Sequence, residues 1–340
     1  MAWPLIKLLP QKTNFKFVRF AAIAAFASVV AVLGTFASVV TGGFRENPVE
    51  IYNNAEGSSL DRVGTVLMHG FALGIDFRGG TLMTIEAPSP IDPAVVRRAI
   101  EGLDLGELVV QQSSCAPVTN PPYCALISYQ SAEATTAVTQ RLQTTIPDVQ
   151  FLSVEGVSAK VSDELFGKGL SALGWAIVLM LIYIWFRFEW QFGMGAVVAL
   201  FHDVILTLGL FSVLRLEFTL VVVAALLTII GYSMNDTVVV FDRLRENYRK
   251  FKKMPRPDVI DLSTNETLSR TMMTSITVLI ASVALWIWGG EALRGFAIAM
   301  TFGVVIGTYS SIYVAAPVTL LWQKRRAEMA DSGELSKSTS

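Results

Sequence analysis

Six stretches of this 340-residue chain are apolar enough, and long or nearly long enough, to cross a bilayer as helices. No other feature restricts the fold as strongly. Spanning the hydrocarbon takes about 20 predominantly apolar residues in helical form. The candidates are residues 18–40, 166–186, 192–214, 218–241, 271–288 and 296–322. Composition agrees, with 52% hydrophobic and only 16% charged residues, a balance outside that of ordinary soluble domains. A formal net charge of −1 supplies no global attraction for phosphate, so nucleic acid is excluded as a partner on electrostatic grounds.

Between the first and second apolar stretches lies a polar segment of domain size, 41–164, and the only other long connection is 242–270. Basic residues near helix ends are retained on the cytoplasmic side. Lys7, Lys12, Lys16 and Arg19 precede the first helix; Arg243, Arg245, Arg249, Lys250, Lys252, Lys253 and Arg256 follow the fourth; Lys324, Arg325 and Arg326 follow the sixth. Six spans put all three groups on one side. The expected organisation is a cytoplasmic start and first helix over 1–40, an external domain over 41–164, helices two to six over 165–323 with a basic cytoplasmic loop at 242–270, and a cytoplasmic tail at 324–340. The first apolar run exceeds the usual h-region of 7 to 15 residues, so it reads as an uncleaved anchor rather than a signal peptide.

The external segment alternates β-rich and helical runs. Residues 81–86 read as a strand, 92–103 as a helix opened by an Asp cap and a first-position Pro, and 107–112 as a second strand. Residues 125–130 make a third strand, 132–145 an amphipathic helix and 149–154 a fourth strand. The order βαββαβ is that of an α+β ferredoxin-like sandwich. Cys115 and Cys124 lie in the Pro-rich connection between strands two and three. On an oxidising side of a membrane they can pair, closing a loop for about 2 to 3 kcal/mol, and the alternative is two free thiols. Neither reading gives a metal site, since no His or third thiol is near.

The run Gly74-Ile75-Asp76-Phe77-Arg78-Gly79-Gly80-Thr81 is the sharpest motif outside the membrane. Paired glycines permit positive φ, and the run is expected to turn the chain into the first full strand, with Asp76 and Arg78 as a structural pair. It lacks the strand-then-helix context of a phosphate-binding loop.

An Asp at the centre of a membrane helix costs roughly 2.5 to 3.5 kcal/mol and is normally turned inward and given partners. Asp236 lies six residues before Asp242, about 9 Å inside that end of the fourth helix. Thr228, Tyr232, Asn235 and Asp236 share helical spacing and form a polar arc. Arg270 opens the fifth helix, with Thr274 and Thr277 continuing its face, and could offer Asp236 a counter-charge. A carboxylate that alternates between ionised and neutral forms as an Arg approaches and withdraws is what a proton site requires. His202 and Asp203 form a second polar pair in the third helix. For each acid a plain interhelical hydrogen bond is the structural alternative. In the sixth helix Gly303, Gly307, Ser311 and Ala315 make a small-residue packing ridge. Positive-inside topology and attraction to anionic lipid account for most of the basic charge after Phe241.

GIDFRGGT at 74–81, ALFHDVILTLGLFSVL at 199–214, GYSMNDTVVVFDRLREN at 231–247, NETLSRTMMTS at 265–275 and FGVVIGTYSSIYVAAPV at 302–318 together resemble the SecF family of protein-export subunits, over residues 71–322. The resemblance implies a six-helix half of an RND-like transporter, completed by SecD, with a ferredoxin-like periplasmic domain between helices one and two. It implies that Asp236 and Arg270 conduct protons, with Asn235 beside them, and it matches His202 and Asp203 to a family pair of less settled role. It implies as partners SecD, the SecYEG channel, YajC, unfolded exported polypeptide and membrane lipid. One departure stands out: 41–70 separates the first helix from the GIDF motif, where family members usually pass almost directly.

The mechanism expected from the resemblance is proton-driven cycling that draws exported chains outward, with protons as coupling ion and no other cofactor. The chain is not expected to be an enzyme, because it carries no GxxxxGK[ST] loop, catalytic triad or metal cluster. Two alternatives belong to other classes: half of an RND-type exporter of lipids or small molecules, and a passive scaffold of the translocon.

Overall fold

The computed structural model describes residues 13–44, 47–55, 58–106, 108–114 and 123–321. Lys7, Lys12, Cys115 and the tail 324–340 lie outside the described residues. The first apolar run is helix α1 (Phe17–Val40), followed by two short helices, α2 (Pro48–Asn54) and α3 (Ser59–His69), within the segment 41–70. A two-residue strand β1 (Ala72–Leu73) and a single helical turn α4 (Ile75–Arg78) lead into the external sheet. That domain runs β2 (Gly80–Ala87), α5 (Pro93–Ala99), β3 (Val109–Ser114), β4 (Tyr123–Tyr129), a 3-10 turn at Ala132–Ala134, α6 (Thr135–Thr145) and β5 (Gln150–Val157). The chain then re-enters the membrane as α7 (Ala159–Arg187) and α8 (Trp190–Leu214). A short strand β6 (Glu217–Phe218) precedes α9 (Leu220–Lys250), α10 (Arg256–Trp288) and α11 (Gly290–Ser310). A π-helical turn at Ser311–Ala315 carries the last helix on to Leu321.

Among the described residues six helices are therefore long and apolar enough to span a bilayer. Helices satisfy every backbone group internally, the condition that lipid imposes. In this bundle α8, α9 and the last span are about half buried, whereas α1 and α7 lie at the periphery. Phe26, Leu33, Trp175, Trp185 and Phe186 point outward, as apolar side chains facing lipid should. The small-residue ridge packs against α9: a Cβ at Gly303 would lie 2.4 Å from Ile229 Cδ1, so only hydrogen fits there.

The external sheet has the order β3-β4-β2-β5 with every neighbouring pair antiparallel, which is the ferredoxin-like order. Met83, Ile85, Ala125 and Ile127 of the sheet pack against Val96, Ile100, Val138 and Leu142 from the helical layer. Asp92 caps α5 by accepting the Ala94 N–H at 2.8 Å, with Pro93 at the first position. The helix is shorter than the expected 92–103. It ends at Ala99, and Gly102 at φ 81° turns the chain back toward the sheet.

Two expectations change. The basic connection 242–270 is not a loop, because α9 continues to Lys250 and α10 begins at Arg256. Polar pairs hold these extensions together beyond the apolar stretches: Arg243 bonds Glu266 at 2.7 Å and Glu246 at 2.6 Å, and Asn247 donates to Ser263 at 3.0 Å. Hydrophobicity marks where a helix can lie in lipid, not where it must stop. The glycine motif also does more than turn the chain. Residues 75–78 form one helical turn, after which Gly79 and Gly80 at φ 73° and 115° pass directly into the central strand β2.

Candidate functional site

Asp236 is 6% exposed and points into the bundle from α9. Its Oδ1 accepts the Thr271 hydroxyl of α10 at 2.5 Å, and its Oδ2 is buried with no hydrogen-bond partner. The next residue of α9, Thr237, shares a hydrogen bond of 3.1 Å with Ser311, the first residue of the π-helical turn. Such turns open the regular ladder and are frequent at functional sites.

Asp203 is 1% exposed and fully engaged. Its Oδ1 bonds His202 Nδ1 at 2.9 Å, and its Oδ2 accepts Ser233 of α9 at 2.5 Å and Ser310 of α11 at 2.7 Å. The other ring nitrogen of His202 bonds Ser28 of α1 at 3.2 Å, and Ser28 in turn bonds the Tyr309 hydroxyl at 3.0 Å. Tyr309 also stacks on the imidazole. Four spans meet at this network. A further chain of hydroxyls runs from Tyr232 to Ser275 at 3.0 Å and from Ser275 to Thr308 at 2.6 Å, joining α9, α10 and α11.

The sequence-derived residues thus fall into two groups. Asp236, His202 and Asp203 are interior, whereas Asn235 and Arg270 are exposed on the outer faces of α9 and α10. Arg270 makes no ion pair with Asp236; its neighbour Thr271 takes that carboxylate instead. A helix turns about 100° per residue, so consecutive residues cannot both point at one target. Because Thr271 touches Asp236, the backbone of Arg270 lies at a similar height along the bundle, on the face that also carries Thr274 and Thr277. Asn235 and Thr228 add polar groups to the neighbouring face of α9. Sequence reasoning missed Thr271, Ser233, Ser310 and Tyr309 as partners. The only signal for them was a density of hydroxyls at 264–277 and 308–311, and for Ser233 its place beside the polar arc of α9.

Outside the membrane, Asp76 of the glycine motif accepts the Leu220 N–H, at the start of α9, at 2.9 Å. The partner that this bond gives Asp76 is a helix terminus of the membrane bundle. Cys124 is disulfide-bonded, and Cys115, the chain's only other cysteine, lies outside the described residues. No group of His, Cys, Asp and Glu side chains suited to a metal occurs among the described residues.

Six spans enclosing buried acids, with a βαββαβ domain inserted after the first, define a polytopic membrane protein of the RND-like half-transporter class. Residues 137–325 match the family described as protein export membrane protein SecD/SecF, C-terminal, and residues 66–87 match the SecD/SecF GG motif. The protein translocase subunit SecF of Cereibacter sphaeroides is 42% identical over 323 residues, covering 93% of this chain and 91% of that protein. SecF of Rhodobacter capsulatus is 44% identical over 329 residues, with 93% and 91% covered. A crystal structure of SecDF, a translocon-associated membrane protein from Thermus thermophilus, superposes with a TM-score of 0.72 at 31% identity. It covers 94% of this chain and 40% of that one. SecDF in a super-membrane-facing form gives 0.60 at 31% identity, covering 97% of this chain and 41% of that one. The chain belongs to the SecD/SecF family, and within it to the SecF branch. It spans about two fifths of the SecDF chains it matches.

Proposed function

We propose that the chain is an accessory subunit of the Sec protein translocase that pairs with SecD and uses the proton motive force to promote late steps of protein export. The observation that carries this reading is the state of Asp236: a carboxyl group inside an apolar bundle, held by one hydroxyl, with its second oxygen unpartnered. A carboxyl group in hydrocarbon is costly and is normally given partners, so one that keeps a free oxygen there is a candidate for function rather than packing. Arg270, Asn235 and Thr274 face outward nearby. Polar groups at membrane depth demand a protein or aqueous neighbour, so this face is where SecD completes the proton path.

Each proton descending the gradient supplies about 2.3 kcal/mol per 100 mV. That energy shifts the bundle between two arrangements only if Asp236 holds its proton more readily in one of them. Arg270 biases the ionised form when SecD brings it inward, and Asn235 lies next to the acid as a further relay. The His202–Asp203 pair joins four spans through its hydrogen bonds. Protons are the only coupling species in this scheme, with no nucleotide hydrolysis.

Both termini lie in the cytoplasm and the domain within 41–164 in the periplasm, beside the exit of the SecYEG channel, where it contacts the emerging unfolded polypeptide. Support for the orientation is the grouping of basic residues: Lys16 at the start of α1 pairs with Asp258 at the start of α10 at 3.6 Å, and Arg245 and Arg249 crowd the end of α9. YajC and anionic lipid are further contacts of the membrane portion.

The test is translocation into inverted membrane vesicles that contain SecD, SecYEG and either the native chain or Asp236→Asn, with and without an ionophore. The expected result is loss of gradient-dependent stimulation with assembly intact. Unaltered stimulation in Asp236→Asn would reduce the chain to a scaffold, and failure to copurify with SecD and SecYEG would favour an RND-type exporter.

A further inference from the structure

The helix that carries Asp236 is capped by a residue from another domain. Helix α9 begins at Leu220, and its N-cap, Thr219, makes no side-chain hydrogen bond to the exposed helix N–H groups. The carboxylate of Asp76, 144 positions earlier, accepts the Leu220 N–H instead. A carboxylate at a helix N-terminus is favoured both by the free N–H groups and by the helix dipole. Bonds to an ionised acceptor are the stronger ones.

The surroundings of Asp76 make this contact a joint rather than an isolated cap. Strand β1 pairs in parallel with β6, Ala72 opposite Glu217 and Leu73 opposite Phe218, and Gly74 donates to the Phe218 carbonyl at 3.0 Å. The chain segments leading into α4 and into α9 are thus stitched side by side. The Asp76 carbonyl accepts the Ser162 hydroxyl of α7 at 3.1 Å, and the Phe77 ring packs on Phe166 and Phe218. Two residues beyond α4, Gly80 enters the central strand of the external sheet at φ 115°, where a Cβ would lie 2.4 Å from the Tyr129 carbonyl oxygen. A cavity of about 210 Å³ lined by Leu73, Ile75, Gly79, Gln130 and Glu217 adjoins the joint.

We propose that Asp76 is a positioning residue that couples the proton-bearing helix to the external domain. Displacement of α9 on protonation of Asp236 reaches β2 through the Leu220–Asp76 bond and the β1·β6 pair. The inference rests on the proton-coupled reading above. From Leu220 to Asp236 the helix is continuous over about 24 Å, at 1.5 Å per residue, so an axial shift at the acid is delivered to the cap. The glycine motif has a mechanical reason in this view. It passes from a helix cap to a central strand within four residues, and a longer or laxer connection would absorb the stroke.

Coupling of this kind is reciprocal, which supplies a readout that a purely structural cap would not move. Amide hydrogen exchange is measured at 72–87 and 217–222 in membranes containing the full chain with SecD, for native, Asp236→Asn, Asp76→Ala, Asp76→Asn and the double variant Asp76→Ala with Asp236→Asn. Asp236→Asn is expected to change protection of 80–87 by about fivefold or more in the native background. It should leave that protection unchanged in the Asp76→Ala background. Gradient-dependent export should fall by a similar factor in Asp76→Ala and be largely retained in Asp76→Asn, whose amide oxygen still accepts the Leu220 N–H. Copurification with SecD checks that each variant is assembled; if Asp76→Ala is not, Asp76→Asn with Asp236→Asn carries the test, and the change at 80–87 must persist. The proposal is overturned if Asp236→Asn alters exchange at 80–87 equally with and without Asp76, or not at all. If instead Asp236→Asn leaves gradient-dependent export intact, it is the proton-coupled reading that falls.

Discussion

Thr271 donates its hydroxyl to Oδ1 of Asp236 at 2.5 Å, while the second oxygen of the same carboxylate is buried without a partner. A hydroxyl from the fifth span, not a guanidinium, is therefore the immediate neighbour of the acid. In the scheme proposed above, this free oxygen is the one that binds a proton or receives a donor from SecD.

Removing the hydroxyl while keeping the shape tests that relationship. Thr271→Val is expected to destabilise the chain by about 1 to 3 kcal/mol, because both carboxylate oxygens then lack donors. Gradient-dependent export should fall with it. Thr271→Ser should preserve both. Thermal unfolding in detergent and vesicle translocation measure the two effects.

Asp203 gathers donors from His202, Ser233 and Ser310, so truncating it strands several buried polar groups at once. Asp203→Ala is expected to cost about 3 kcal/mol or more, and Asp203→Asn clearly less, since an amide oxygen still accepts from the serines. Steady-state abundance in membranes and unfolding midpoints should follow that order. If Asp203→Asn abolished gradient-dependent export at normal abundance, Asp203 would have to be counted as part of the proton path.

At Gly303 the last span approaches α9 so closely that an added Cβ would meet the Ile229 side chain at 2.4 to 3.0 Å. Gly303→Val should cost about 1 to 3 kcal/mol through overpacking. Ile229→Ala, which vacates that space, should restore part of the loss when combined with it. A double-mutant cycle on thermal stability reads the interaction, and strict additivity would contradict the contact.

Gly80 combines φ 115° with a carbonyl oxygen where a methyl group would sit. Gly80→Ala is therefore expected to strain the start of β2 by about 1 to 3 kcal/mol. Protease sensitivity should rise within the external domain, while the spans stay protected. Gly64→Ala, on a helix with open space around the site, should be tolerated and serves as the control.

The six spans, the βαββαβ order and the identity of Asp236 as an intramembrane acid were legible in the sequence because each depends on local pattern. Apolar length decides what can lie in lipid, alternation and capping decide short strands and helices, and an acid in an apolar run is conspicuous wherever it packs. The cap on α5 by Asp92 is of the same local kind. The helical extensions through 242–250 and 256–270 were less legible, since charged residues at a membrane exit look alike in a loop and on a solvated helix.

Tertiary structure alone decided which side chains meet. Whether Arg270 or Thr271 faces Asp236 depends on a rotation of about 100° about one helix axis, which apolar periodicity on a lipid-facing span does not specify. Asp76 could be seen as structural from its sequence, but its partner at Leu220 lies 144 residues away and exists only because β1 and β6 pair. Local forces along the chain select the elements; contacts between elements distant in sequence select the chemistry, because a hydrogen bond depends on where its two ends arrive in space.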